Sequence, residues 1–239
     1  MVAWVPDRSG RFGRRPHFSR EELDRECEAI VGTFLRGRYG EARYPISTDD
    51  LTVLVERYTS SLDLYADLSA HGEDVEGMTE FFPDELPAVA VSERLSSDPR
   101  RENRLRTTLA HELGHAQFHR ALWAERFSRG GLFDRADPEA KAICKRDSIL
   151  EAREVDWMEW QAGYVSGAIL MPRSVLGRLV AELCVPRGIH AAVHVESPLA
   201  AEMVGRVVEA FRVSPDAARV RLLKLDFLTT ERRAPTLFD

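Results

Sequence analysis

Two histidines stand four residues apart with a glutamate directly after the first, in His111-Glu112-Leu113-Gly114-His115. On an α-helix, positions i and i+4 share a face, so both imidazoles can reach one cation. Neutral imidazole is a good ligand for zinc. Glu112 flanks such a metal without having to bind it. From there it can take a proton from an attacking water and pass it to a leaving amine, which is general acid–base catalysis. Leu105, Leu109, Leu113 and Ala116 give the same helix an apolar side. The plainer alternative is two core or surface histidines that bind nothing, which leaves the spacing to chance.

A catalytic zinc takes three protein ligands and keeps one position open. A second helical stretch, about 151 to 171, offers carboxylates at Glu151, Glu154, Asp156 and Glu159. Its apolar stripe is Val155, Met158, Ala162, Val165 and Ile169, at spacings of three and four. Beside it runs Glu159, Gly163, Ser166 and Leu170, whose small members allow a close approach to the first helix. Spacing therefore ranks Glu159 first and leaves the other three open. His119 continues the series 111, 115, 119, but three ligands on one straight helix spread over about 12 Å, so it reads as supporting or structural. His190 and His194 lack a glutamate and follow Pro186 and Gly188, which reads as loop or strand. Tyr164, Arg106 and His119 are candidates to stabilise a developing oxyanion.

The elements that must position these groups are legible from caps and periodicity. Ser19 with Glu22 predicts a capping box and a helix to about Leu35. Ser47-Thr48-Asp49-Asp50 predicts a second helix ending near Tyr58. Strands are expected at 62–68, 77–82 and 87–93, forming a small, mostly antiparallel sheet. A long helix is expected over about 100–121, then a polar stretch at 128–138. After the 151–171 helix, a third runs to about Cys184. Ser197-Pro198 and Ser214-Pro215 predict two short helices, about 198–211 and 215–226. The fold class is thus α+β, divided into a flexible basic leader (1–18), a domain carrying the histidines (19–172) and a helical C-terminal region (173–239).

The 239 residues are 44% hydrophobic, sufficient for a buried core. Cys27, Cys144 and Cys184 are odd in number and never C-x-x-C, which argues against a disulfide framework. No apolar run spans a bilayer and the first residues carry charge too early for a secretory signal, so a cytoplasmic protein is expected. A net charge of −6 argues against a general nucleic-acid binder. The local exception is the leader, with Arg8, Arg11, Arg14, Arg15 and Arg20.

The stretch Leu105-Arg106-Thr107-Thr108-Leu109-Ala110-His111-Glu112-Leu113-Gly114-His115, then Glu159-Trp160-Gln161-Ala162-Gly163 and Ala168-Ile169-Leu170-Met171-Pro172, resembles the ImmA/IrrE metallopeptidases. The likeness covers about 75–225, including Val213-Ser214-Pro215 to Arg221-Leu222. It implies a zincin-like fold, with His111, His115 and Glu159 as zinc ligands and Glu112 as catalytic acid/base. It also implies a regulator of stress responses or mobile elements that cleaves a helix-turn-helix repressor. Gly163 departs from the family's usual asparagine at that position.

Three functions are set against one another. The first is a zinc endopeptidase acting on such a repressor, and it accounts for Glu112. The second is a non-catalytic zinc-containing regulatory module. The third is a DNA-binding regulator that uses the 198–226 helix pair as a helix-turn-helix, with Arg219, Arg221 and Lys224 toward phosphate.

Overall fold

Serine hydroxyls start four of the helices by accepting a backbone N–H that the first turn leaves unpaired. The computed structural model describes residues 3–129, 141–145 and 156–231. Ser19 and Glu22 form the full capping box of α1 (Arg20–Tyr39), which runs four residues beyond Leu35 and ends at left-handed Gly40. Ser47 caps α2 (Thr48–Glu56), while Ser197 and Ser214 cap α8 (Pro198–Phe211) and α9 (Pro215–Lys224). Between them lie the short α3 (Glu93–Ser96), α4 (Glu102–Phe118), α5 (Arg120–Arg129), α6 (Trp157–Leu170) and α7 (Arg173–Cys184). The single helix expected over 100–121 is broken at His119, where α4 ends and α5 begins. Pro172 separates α6 from α7, since proline cannot continue the preceding helix.

The chain is α+β, with its main sheet ordered β3 (Ser61–Ala66), β5 (Ala88–Ser92), β4 (Val75–Glu80), β6 (Lys141–Lys145). β4 pairs antiparallel with β5 and with β6, as expected of a mostly antiparallel sheet, but β3 pairs parallel with β5. β6 carries too short a pattern to be read from sequence. A two-residue parallel pair, β7 (Val193–His194) and β8 (Leu228–Thr229), ties the end of the described chain to the segment before α8. His194 is therefore in a strand, and His190 precedes it in loop.

Two expectations are corrected. The supposed flexible leader is an antiparallel hairpin, β1 (Ala3–Pro6) with β2 (Arg14–His17). It is anchored by buried Phe12 against Trp123 and Trp157, by Trp157 donating to Asp7, and by Arg126 donating to the Arg11 carbonyl. The division at residue 172 does not separate two cores. One apolar cluster runs from Leu23 and Leu35 of α1 through Leu109 and Ile169 to Met203, Phe211 and Leu222 of the last helices. A second, aromatic cluster joins Phe12, Phe81, Trp123 and Trp157. Among the described residues, Cys27 and Cys184 are free and buried. No described helix is long and apolar enough to cross a membrane. Residues 130–138 of the polar stretch, Glu151, Glu154, Val155 and residues 232–239 lie outside the described residues.

The C-terminal helices are held to the rest by charge as well as by the shared apolar core. Arg221 of α9 donates to Asp24 of α1 at 2.6 Å, with both side chains nearly inaccessible, and Tyr164 of α6 donates to the other Asp24 oxygen at 2.9 Å. Arg221 is therefore unavailable to phosphate. Lys224 sits over the Tyr164 ring, and its ammonium is pushed down to about 8 by burial and by neighbouring Arg221. Removing one partner of a buried pair strands the other charge. Asp24→Ala is thus expected to cost about 3–5 kcal/mol in urea unfolding; a loss below about 1 kcal/mol, the worth of a surface pair, would contradict this anchoring.

Candidate metal centre

Gly114 is the point at which α4 and α6 come together. A Cβ placed there would meet the Ala162 Cα at 3.1 Å and Val165 at 3.3 Å. Ser166, on the small-residue line of α6, donates to the Thr107 carbonyl of α4 at 3.1 Å and fixes the same contact one turn along. This approach carries Glu159, in the first turn of α6, over the histidines of α4.

His111 Nε2 lies 3.1 Å from Glu159 Oε2, His115 Nε2 lies 3.1 Å from Glu159 Oε1, and the two Nε2 atoms are 3.0 Å apart. The histidines are fully buried and the Glu159 side chain is 13% exposed. Among the described residues this trio is the group that could hold a metal ion. Ligand atoms at about 2.0–2.1 Å from a tetrahedral ion sit about 3.3 Å from one another, so the spacing fits with small adjustment. Asp156, the other described candidate, is exposed at the start of α6.

The supporting bonds set the tautomers. Gln161 presents its amide oxygen to His119 Nε2 at 2.7 Å, so that nitrogen carries the hydrogen. Burial, reinforced by His115 nearby, holds His119 well below the usual histidine range, hence neutral. Its Nδ1 then accepts from His115 Nδ1 at 2.9 Å. With Nδ1 so engaged, the Nε2 edge of His115 faces Glu159 and His111, and a metal that takes the place of its proton would meet the lone pair there, which is the orientation a metal ligand needs. His119 thus supports His115 and is not a third ligand on the helix. Burial alone would raise the Glu159 carboxyl, but the charge of His115 and hydrogen bonds from both histidines outweigh it and hold Glu159 well below its ordinary value. The same pairing raises His115 against the opposing effect of its burial.

Glu112, one residue on from His111, turns toward β4. Its Oε2 accepts from Thr79 Oγ1 at 2.5 Å, and its Oε1 is buried without a hydrogen-bond partner. Burial raises its carboxyl, against the pull of His115 and His111. A carboxylate with one fixed oxygen and one unpartnered oxygen beside three convergent donor atoms can hold and move a proton. Gly77 makes room for it, because a Cβ there would come within 2.9 Å of Glu112 Cδ and Thr108 Cγ2.

The structure therefore brings together His111, Glu112, His115 and Glu159. It leaves His190 and His194 outside the group that could hold a metal. Two of the oxyanion candidates are engaged elsewhere. Arg106 donates to the carbonyls of Ile46 and Phe211, and Tyr164 to Asp24. Gly77, Thr79 and Gln161 went unnoticed as site residues. Only Gly77, a glycine inside a strand pattern, carried a signal of close approach. No protein-family model matches the chain, and no curated protein matches its sequence.

Gly77→Ala is expected to displace the Glu112 carboxylate and to destabilise by about 1–3 kcal/mol, as overpacked sites do. An unchanged urea midpoint would contradict the close approach.

Proposed function

We propose that this protein is a zinc-dependent endopeptidase in which His111, His115 and Glu159 hold the metal and Glu112 is the general base. The observation that carries the proposal is the convergence of two imidazole nitrogens and a carboxylate beside a buried glutamate with one unpartnered oxygen. Two nitrogens and one oxygen are the donor set that zinc takes in hydrolytic sites, with a position left open. When bound, zinc would supply Lewis acidity toward a peptide carbonyl and toward water. The protein's own groups do the rest. Glu112 Oε1 takes the proton of the attacking water and delivers it to the departing amine, while Thr79 keeps the carboxylate from turning. His119 and Gln161 hold His115 in the ligand tautomer. The resemblance to ImmA/IrrE peptidases supports this reading and extends it to the substrate, a regulatory protein of the helix-turn-helix repressor class whose cleavage relieves repression.

A non-catalytic zinc module would use the trio without Glu112, so the glutamate decides between them. Glu112→Gln is expected to retain its metal and to lose about a hundredfold or more in cleavage rate, measured as zinc-dependent products from a peptide library by mass spectrometry. Products formed equally well by this variant would remove Glu112 from the chemistry. Glu159→Ala is expected to weaken zinc binding more than Gln161→Ala, whose loss should be about 10–100-fold, as for other supporting contacts. Competition against a chelator dye measures both, and an unchanged affinity of Glu159→Ala would move the third ligand elsewhere.

A further inference from the structure

The residues that bracket Glu159 on α6 also form the wall of a cleft. Trp157, Trp160 and Gln161 face the hairpin and the start of α1 across a space of about 1130 Å³. That is at or above the range of small-molecule pockets, about 300–1,000 Å³. Trp157 touches His119 edge to face at 5.5 Å, so the cleft adjoins the support of the metal trio.

Its charge is opposite to that of the molecule. The chain carries −6, yet the described lining includes Arg8, Arg15 and Arg20 and no aspartate or glutamate. Arg15 is spread over the Trp157 ring at 4.7 Å, which fixes its guanidinium in place. Arg8 and Arg20 are exposed and form no ion pair among the described residues. Two of the acids nearby are already occupied. Asp7 accepts from the Ser9 and Phe12 backbone, the Ser9 hydroxyl and the Trp157 indole, besides attracting Arg15. Glu22 closes the capping box on Ser19. Phe18 and Trp160 give the same lining apolar surface.

We propose that this cleft seats an acidic stretch of the polypeptide substrate, with its carboxylates on Arg8, Arg15 and Arg20 and an apolar side chain against Phe18 and Trp160. The proposal rests on the peptidase reading and adds to it the substrate's chemistry beside the scissile bond. Guanidinium groups pair with carboxylates in two-pronged fashion, so arginine suits this task better than lysine would. A short acidic peptide engages only the local positive field. A nucleic acid extends beyond the cleft, where the net negative charge of the protein opposes it.

The test is binding to the full-length, zinc-loaded Glu112→Gln protein, measured by fluorescence anisotropy. Three labelled peptides of equal length share a Leu-Phe core flanked by Asp/Glu, by Asn/Gln or by Lys/Arg. The acidic peptide is expected to bind about tenfold or more tightly than the neutral one at low salt, with the preference shrinking as salt rises. Adding Arg8→Glu and Arg20→Glu should abolish the preference, whereas adding Arg8→Lys and Arg20→Lys should retain most of it. Equal binding of acidic and neutral peptides, a preference that survives charge reversal, or tighter binding of a single-stranded oligonucleotide would each overturn the proposal. Cleavage by the unsubstituted protein separates the two ideas. Acidic peptides bound but not cut would leave the seat standing and sink the peptidase reading, while cleavage indifferent to charge would do the reverse.

Discussion

The absence of a side chain at Gly114 is the constraint on which the site depends. Helices normally pack with axes about 8–10 Å apart, set by the side chains between them. Here the Ala162 Cα comes to the position a Cβ on Gly114 would nearly touch, and Val165 fills the space beside it. Only at that separation can a glutamate at the start of α6 reach both imidazoles of α4. Ser166 bonding to the Thr107 carbonyl holds the two helices in register along their length. The convergence of the trio is thus a consequence of backbone approach, and the groups themselves need only the right spacing on each helix.

Several of the buried polar groups are answered by a bond from another element, while Glu112 Oε1 and His111 Nδ1 are not. His115 is answered by His119, and His119 by Gln161, in a chain of bonds running away from the trio into the protein. Glu112 is answered by Thr79 from the sheet, through a gap left by Gly77. Farther out, Arg106 satisfies carbonyls of the loop before α2 and of the end of α8, and Arg221 with Asp24 and Tyr164 ties α9 to α1 and α6. These bonds connect the first and last described helices to the pair that carries the site. The resulting scaffold keeps the donor atoms converged, which favours metal affinity because less ordering is left to be done on binding.

Much of this was legible in the residues, for reasons that differ between elements. Serine caps and the four-residue spacing of His111 and His115 are local signals: the caps mark where four helices start, and the spacing puts both imidazoles on one face of α4. Glu159 was ranked first because small residues shared its line on α6, which is the face that meets α4. Signals that depend on distant partners were not legible. The parallel pairing of β3 with β5 cannot be told from the alternation of β3 itself. The hairpin at residues 3–17 reads as a charged tail, because its anchors are Trp123, Arg126 and Trp157, more than a hundred residues away. Arg221 looks solvent-facing among the cations of α9, and only the fold supplies Asp24. Gln161 sits within the recognised stretch, yet its role depends on contact with His119, 42 residues away in the chain.

The central claim is that His111, His115 and Glu159 form a zinc site, and the most direct measurement is zinc per chain, by elemental mass spectrometry of protein purified without chelator. The account predicts about one zinc per chain, the stoichiometry of a single three-ligand site, and its loss when His111 and His115 are both replaced by alanine. Protein that takes up no zinc, even when zinc is added back, would contradict the account and leave the buried histidine chain a purely structural network.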